Sequence, residues 1–505
     1  MDFSLPLSRL LSDCEKNCKT MAYGSPEVHI TSEGKDIYIL SDIHLTGENN
    51  GENHPSSEEI KTAEIFASFI SCIHERHLFN PAILIINGDL FDFLRITGLP
   101  HSEAEFDEWQ SALSSVGINE SGDSLKNSIS VREKRYGLST TENKSVWKLL
   151  RVLSAHRPLF AALSDWIGSG NQLIITKGNH DFELYWPAVR NLMRRFFAEI
   201  IASESGENIQ QVLEEKLFPG LIFADGTLIL DRVFYIEHGH RYDKYTRTIG
   251  KPVLGGELNT PFGSYFNRYL FNPIERAYPP LKNIHIKGNI LQMLIEKRFF
   301  MGLRAFLRHI PVLFLVIPFR YYRHLFGRTL LAGFILFLPL LYIMDKSWDL
   351  IDPVTMKLNE LEKANPSLSR FFRIPGYNLI GSMILSFFSF VVGRSDVYLT
   401  IEEQNSLKDF AVKIFSRNSA LRLITFGHTH NSEHFCDSGR EFFNTGSWIY
   451  TGEAEPRPTH TFLHIEGASA SDGFRQTRFM KWNYERGLME PFSDTADTDR
   501  SLNRK

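Results

Sequence analysis

The stretch 83–92 reads Ile-Leu-Ile-Ile-Asn-Gly-Asp-Leu-Phe-Asp. Four consecutive apolar residues, bounded by Pro81 and Gly88, spell a strand buried on both faces, as strands of parallel sheets are. Asp89 follows one residue past the glycine turn. Open α/β sheets bind ligands in the crevice beyond the carboxyl ends of their strands. One aspartate there constrains little, but other stretches repeat the design. Residues 36–40 lead into Ser41-Asp42-Ile43-His44, and 172–176 into Lys177-Gly178-Asn179-His180-Asp181. Residues 233–236 lead into Glu237-His238-Gly239-His240, and 421–426 into Gly427-His428-Thr429-His430. Each predicted strand finishes on Asp, His or Asn, most with a glycine beside it for the sharp turn. Such groups collect at one edge of a sheet when something cationic sits there.

Between these strands the pattern changes to helical spacing. Residues 57–77 place Ile60, Ile65, Phe66, Phe69, Ile70 and Ile73 on one face, and helices are also expected at 145–168 and 185–201. Two strands are expected between 221 and 236. Strands alternating with helices argue an α/β, or α+β layered, fold, with a second sheet packed on the first. Residues 100–145 are polar and read as a partly helical surface insertion. At 505 residues the chain has room for two to four domains. The organisation expected is a lead-in at 1–34, a core at 35–250 and 418–484, an insertion at 251–417 and a polar tail at 485–505.

Net charge is −4, so nothing global points to nucleic acid. Cys14, Cys18, Cys72 and Cys436 show no metal-knuckle spacing beyond the weak Cys14/Cys18 pair and read as reduced thiols. The first residues lack a basic start followed by an apolar run, so no signal peptide and a cytoplasmic core are expected.

The insertion has a different composition. Lys297, Arg298, Arg304, Arg308, Arg320, Arg323 and Arg328 interleave with Phe299, Phe300, Phe306, Phe314, Phe319, Tyr321 and Tyr322. Uncharged runs follow at 329–344, which holds Pro339, and at 374–393, which holds Asn378. A spanning helix needs about 20 apolar residues, and neither run is a clean span. Basic and aromatic residues among apolar runs suit an interface with anionic lipid, so lipid contact through 297–344 and 374–393, at the inner face of a membrane, is expected. The alternative is a helical cap packed on itself. An open polar groove for nucleic acid is disfavoured.

The strand-end groups are Asp42, His44, Asp89, Asn179, His238, His428 and His430. Imidazole, carboxylate and amide oxygen suit divalent ions such as Mn, Fe, Zn or Mg. Asp89, on the central strand, would bridge two ions. Asp42, His44 and His430 would complete one site, and Asn179, His238 and His428 the other.

The ordered blocks Asp-x-His, Gly-Asp-x-x-Asp, Gly-Asn-His-Asp, His-Gly-His and Gly-His-Thr-His, spread over residues 42–430, resemble the calcineurin-like metallophosphoesterase superfamily. The resemblance covers roughly residues 35–250 and 418–480. It implies a four-layer β-sandwich flanked by helices, here carrying a large helical insertion, and two divalent metal ions. It also implies hydrolysis of a phosphoester by in-line attack of a bridging hydroxide. It gives His180 the role of protonating the leaving group and Asp92 that of orienting His180. Arg241 and Lys177 are candidate substrate contacts, and the block 444–448 (Asn-Thr-Gly-Ser-Trp) resembles a structural turn of the family. The plan is most similar to the UDP-2,3-diacylglucosamine pyrophosphohydrolases. Those enzymes carry Arg where this chain has His180, Asp where it has His240, and a far shorter insertion. The substrate expected is a lipid-linked or amphiphilic phosphoester. A soluble phosphatase or phosphodiesterase for nucleotides or phosphoproteins, and a non-catalytic membrane scaffold, are the alternatives.

Overall fold

The computed structural model describes residues 19–20, 26–48, 54–277, 309, 312, 315–321, 407–452, 459–467 and 476–492. Residues up to Val316 together with those from Leu407 onward form one compact unit, and Ile317–Ser406 form a second. Of the second unit only 317–321 are described, where Tyr321 N–H closes a turn on the Pro318 carbonyl at 3.0 Å.

The strands of the first unit, in chain order, begin with β1 (Lys19–Thr20), β2 (Pro26–Ile30), β3 (Ile37–Leu40), β4 (Ile83–Asn87) and β5 (Gln172–Thr176). Next come β6 (Leu221–Ala224), β7 (Thr227–Leu230), β8 (Phe234–Ile236), β9 (Val253–Leu254) and β10 (Glu257–Leu258). The last are β11 (Leu423–Phe426), β12 (Ser432–Asp437), β13 (Arg440–Thr445), β14 (Thr461–Ile465), β15 (Thr477–Asn483) and β16 (Leu488–Pro491). Two seven-stranded sheets result, in the orders β16-β15-β14-β3-β4-β5-β6 and β1-β2-β7-β8-β11-β13-β12. Each is mixed. In the first, β3 to β6 run parallel, with Leu40 opposite Ile86 and Ile86 opposite Ile175. In the second, β8, β11 and β13 run parallel. This register brings the carboxyl ends of β3, β4 and β5 to one level, so the residues after them start side by side.

Helices among the described residues include α1 (Ser57–Arg76), α2 (Glu103–Ser115), α3 (Gly122–Ser128), α4 (Val131–Tyr136), α5 (Glu142–Ala155), α6 (Arg157–Gly168), α7 (Pro187–Ser205) and α8 (Leu407–Arg417). Ser56 caps α1 by accepting from Glu59 N–H, and Glu58 and Glu59 lie at the positive end of its dipole. Its buried stripe includes Phe66, Phe69 and Ile70. The Phe69 ring packs on Phe462, Trp448 and Trp482 with centroids 4.8, 4.9 and 5.7 Å away, and removing such a ring from a core costs about 3–5 kcal/mol. The apolar core has three parts. One joins a face of the first sheet to α1, α5, α6 and α7. A second is shared by the two sheets, with Ile39, Ile85 and Ile174 from one and Leu228, Ile236, Leu423 and Phe443 from the other. The third joins the second sheet to α8 through Leu407, Ala411 and Phe415. The chain is thus a mixed α/β protein in which the expected second sheet shares a core with the first.

Three local differences from the sequence reading have plain causes. The single helix expected at 145–168 is two, broken at His156 (φ −115°, ψ 33°), because Pro158 sits in the first turn of α6. Proline fits a first turn but cannot continue a helix across the preceding residues. The polar stretch 100–145 is largely helical, with Ser102, Ser121 and Ser130 capping α2, α3 and α4 over buried Phe106, Trp109, Leu125 and Tyr136. Within the lead-in, Pro26–Ile30 is a strand paired in parallel with β7. The uncharged runs 329–344 and 374–393, and most of the basic–aromatic stretch from 297, lie outside the described residues. Among the described residues, no helix is long and apolar enough to cross a membrane.

Candidate metal centre

Backbone bonds zip the loops after β3 and β4 together: Asp42 N–H donates to the Gly88 carbonyl at 3.1 Å, and Ile43 and His44 N–H to the Asp89 carbonyl at 3.0 and 2.9 Å. From β11, His428 N–H reaches Asp42 Oδ2 at 3.0 Å. The turn at 444–448 braces the same aspartate, since Trp448 N–H and Ser447 Oγ donate to the Asp42 carbonyl at 3.0 and 3.1 Å. Close approach demands glycine at Gly178 and Gly427, among other places. A methyl group on Gly178 would collide with the Asp89 carboxylate, and one on Gly427 with Ser41 and Asp42.

Asp42, His44, Asp89, His428 and His430 all adopt the left-handed conformation, with φ between 54° and 70°. They are half of the ten non-glycine residues with positive φ among the described residues. Asp and His tolerate this region better than most, yet each instance carries strain, and such strain clusters at functional sites.

The side chains converge. His430 Nε2 lies 3.2 Å from Asp42 Oδ1, and His44 Nε2 lies 3.6 Å from the same oxygen and 3.0 Å from His430 Nε2. Asp89 Oδ2 is 3.1 Å from His238 Nε2 and 3.6 Å from His44 Nε2, while Asp89 Oδ1 accepts His180 N–H at 2.8 Å. Asp42, His44 and His430 are close enough to hold a metal ion, as are Asp42, Asp89 and His238, and also His44, Asp89 and His180. Four buried atoms here have no hydrogen-bond partner: Asp42 Oδ1, Asn179 Oδ1, His238 Nε2 and His240 Nδ1. Buried polar atoms are otherwise almost always satisfied. Asp42 Oδ1 and His238 Nε2 lie 3.9 Å apart, an arrangement that fits a cation.

Electrostatics agree. Burial works against charge on each group, but His238 and His430 hold the Asp42 carboxyl well below the usual range. Asp89, buried likewise, is held low by His238 and His180. Against burial, Asp42 and Asp92 push His44 up to about 10, and Asp89 and Asp42 push His238 up to about 9. Burial holds His430 below the ordinary histidine value. Buried carboxylates and imidazoles that perturb one another this strongly mark a candidate functional site.

His180 Nδ1 is 2.9 Å from Asp92 Oδ1, and the other oxygen of that carboxylate lies 3.7 Å from His44 Nδ1. Asp92 thus stands behind both imidazoles. His428 packs at 5.4 Å from the His238 ring, and its Nε2 faces Asp243. The two candidate substrate contacts are engaged elsewhere. Arg241 pairs with buried Glu237 and donates to Thr227 Oγ1 at 3.0 Å. Lys177 lies 3.6 Å from Asp225 and over the rings of Phe182 and Tyr185.

One participant, Asp181, carried no functional reading in the sequence. Asp181 is buried and accepts from Gly178 N–H at 2.6 Å and Leu90 N–H at 3.1 Å, tying the β4 and β5 loops together. Burial, then Asp89, pushes its carboxyl up to about 8. Its only signal was its place in the block Gly-Asn-His-Asp. His240 is buried, with Nδ1 unpartnered, between Phe182 and the His238 ring.

No family model, no curated protein and no solved structure matches the chain. Function is therefore read from the geometry of the site.

Proposed function

We propose that the chain is a metal-dependent phosphoesterase of the calcineurin-like kind, with a dinuclear site at the strand ends. The observation that carries this reading is the sharing of Asp89: one carboxylate oxygen faces His238 and His44 together, and Asp42, whose Oδ1 has no hydrogen-bond partner, is close enough to share an ion with Asp89 and His238. Asp42, His44 and His430 would hold one ion, Asn179, His238 and His428 the other, and Asp89 both. The mixed nitrogen and oxygen donors suit Mn, Fe, Zn or Mg. Two such ions, when bound, supply activation of water at neutral pH and absorb charge on phosphoryl oxygens.

The chain's own groups do the rest. His180, held by Asp92 at 2.9 Å, keeps Nε2 as the group that gives a proton to the leaving oxygen. Its backbone N–H donates to Asp89, so the acid and the bridging carboxylate are fixed to one another. Two sheets sharing a core, flanked by helices on either side, support the four-layer arrangement of that superfamily. The basic, aromatic and apolar stretches at 297–344 and 374–393 favour a lipid-linked or amphiphilic phosphoester met at the inner face of a membrane.

The test is zinc or manganese uptake together with hydrolysis of bis-p-nitrophenyl phosphate and p-nitrophenyl phosphate. Wild type should take up two ions and cleave at least one ester, and Asp89→Ala should do neither. A wild type that takes up no metal would overturn the reading.

A further inference from the structure

An imidazole ligand has two nitrogens, and the group behind one decides which faces the metal. His238 turns Nδ1 to the Asn87 carbonyl at 2.8 Å, and His44 turns Nδ1 to Asp92 Oδ2 at 3.7 Å. Both therefore offer Nε2 to the cluster. His428 is turned the other way. Its Nε2 lies 3.3 Å from Asp243 Oδ2 and 3.3 Å from Thr246 Oγ1. An ionised carboxylate can only accept. The Thr246 hydroxyl hydrogen goes to the His240 carbonyl at 2.9 Å, so its oxygen also meets the ring as an acceptor. Two acceptors at Nε2 require a hydrogen there, and Nδ1 is left with its lone pair.

Asp243 is itself held in place. Its Oδ1 accepts Tyr245 N–H at 2.8 Å, and its own N–H reaches the His240 carbonyl at 3.3 Å. The carbonyl of His240 thus receives both Asp243 N–H and the Thr246 hydroxyl, so the segment after His-Gly-His forms a short brace directed at the His428 ring.

We propose that Asp243 is a positioning residue of the metal centre. With Thr246 it holds His428 in the Nε2–H tautomer, so that His428 meets the metal through Nδ1, opposite in sense to His44 and His238. The inference rests on the dinuclear reading above. A carboxylate behind a ligand imidazole fixes the ring and raises its basicity, and losing one typically costs about 10–100-fold in metal affinity.

The test uses full-length protein with ¹⁵N-labelled histidine, first metal-free and then titrated with Zn²⁺, with His428→Ala to assign the signal. Metal-free wild type should show His428 as the Nε2–H tautomer at a pH above about 8, where ordinary histidine is neutral, and zinc should shift its Nδ1. Asp243→Ala should lose the tautomer preference and weaken one of the two zinc equivalents by about 10–100-fold. Asp243→Asn, whose amide oxygen still accepts, should keep the tautomer and most of the affinity. If Asp243→Ala fails to fold, Thr246→Val carries the test, with a smaller loss at the same equivalent. A His428 carrying its hydrogen on Nδ1 in wild type, or an Asp243→Ala protein that binds both zinc ions as wild type does, overturns the inference alone. A wild type that binds no zinc overturns the dinuclear reading and this inference with it.

Discussion

The first sheet carries an Asp–His cluster at each end of β3, and the two differ in kind. At the amino end, Asp36 Oδ1 accepts Gly467 N–H at 2.5 Å, and Asp36 Oδ2 lies 3.3 Å from His464 Nε2. His77 uses both nitrogens, Nε2 toward Tyr38 Oη at 2.9 Å and Nδ1 toward the Asn80 carbonyl at 3.0 Å. Tyr38 stacks on His464 with centroids 4.5 Å apart. None of Asp36, His77 and His464 is left-handed, and none has a buried side-chain atom without a partner. At the carboxyl end, Asp42, His44, Asp89, His428 and His430 sit on left-handed backbone, and buried Asp42 Oδ1, Asn179 Oδ1 and His238 Nε2 have no hydrogen-bond partner. Acids and imidazoles in contact are common to both clusters, so their presence alone identifies nothing. What separates a site from a brace is unsatisfied lone pairs held at a cost in backbone strain.

The same substitution at the two ends should therefore have opposite consequences. Asp42→Asn should lower zinc affinity by well over the roughly 10–100-fold expected for losing a supporting group, because it removes a donor itself. Asp36→Asn should leave zinc uptake unchanged and instead lower the melting temperature by roughly one to two degrees, the scale of a partly exposed hydrogen-bonded network in a large domain. Isothermal titration with Zn²⁺ and a thermal melt on each variant decide the matter. Loss of uptake in Asp36→Asn would break the comparison.

A second contrast lies within the site. His180 is close enough to His44 and Asp89 to count among possible ligands, yet its Nδ1 is committed to Asp92. If it is the acid and not a ligand, His180→Ala should keep both zinc equivalents and lose about 10²–10⁴-fold in kcat. The loss should be larger for an alkyl ester, whose leaving group needs the proton, than for a nitrophenyl ester, whose leaving group does not. A loss of zinc in His180→Ala would move it into the ligand set.

Much of this was legible in the sequence because β3, β4, β5, β8 and β11 are short apolar runs that end in a chemical group. A register set by parallel pairing then brings most of those ends together without further information. The partners of the flanking charges were not legible. Arg241 stands four residues after Glu237, and the pair meets behind the site, but a cation beside His-Gly-His reads equally well as lining it. The orientation of His428 depends on Asp243 and Thr246, whose hydrogen bonds exist only after the turn at 240–246 has formed. The break at Pro158 was within reach of the sequence, yet apolar spacing on both sides masked it.

His460 gives the smallest and sharpest test, because it carries both marks of the site without the convergence. Its φ is 62°, and its buried Nε2 has no hydrogen-bond partner. Its ring, however, lies against Trp448 and Tyr484, each with centroids 5.7 Å away. Burial, with a smaller contribution from Lys481, pushes its pKa down to about 4. An unfolded histidine titrates near about 6.5, so as pH falls the unfolded chain takes up this proton first. The contribution of a neutral His460 to stability is complete above about pH 6.5 and is lost progressively down to about pH 4. The urea midpoint of wild type should fall more steeply through that window than that of His460→Gln, which has no proton to gain, while both proteins bind zinc alike. Equal slopes would show that the ring is already charged in the fold. A change in zinc affinity would show that an orphaned nitrogen on a strained backbone is enough to mark a ligand, with no carboxylate beside it.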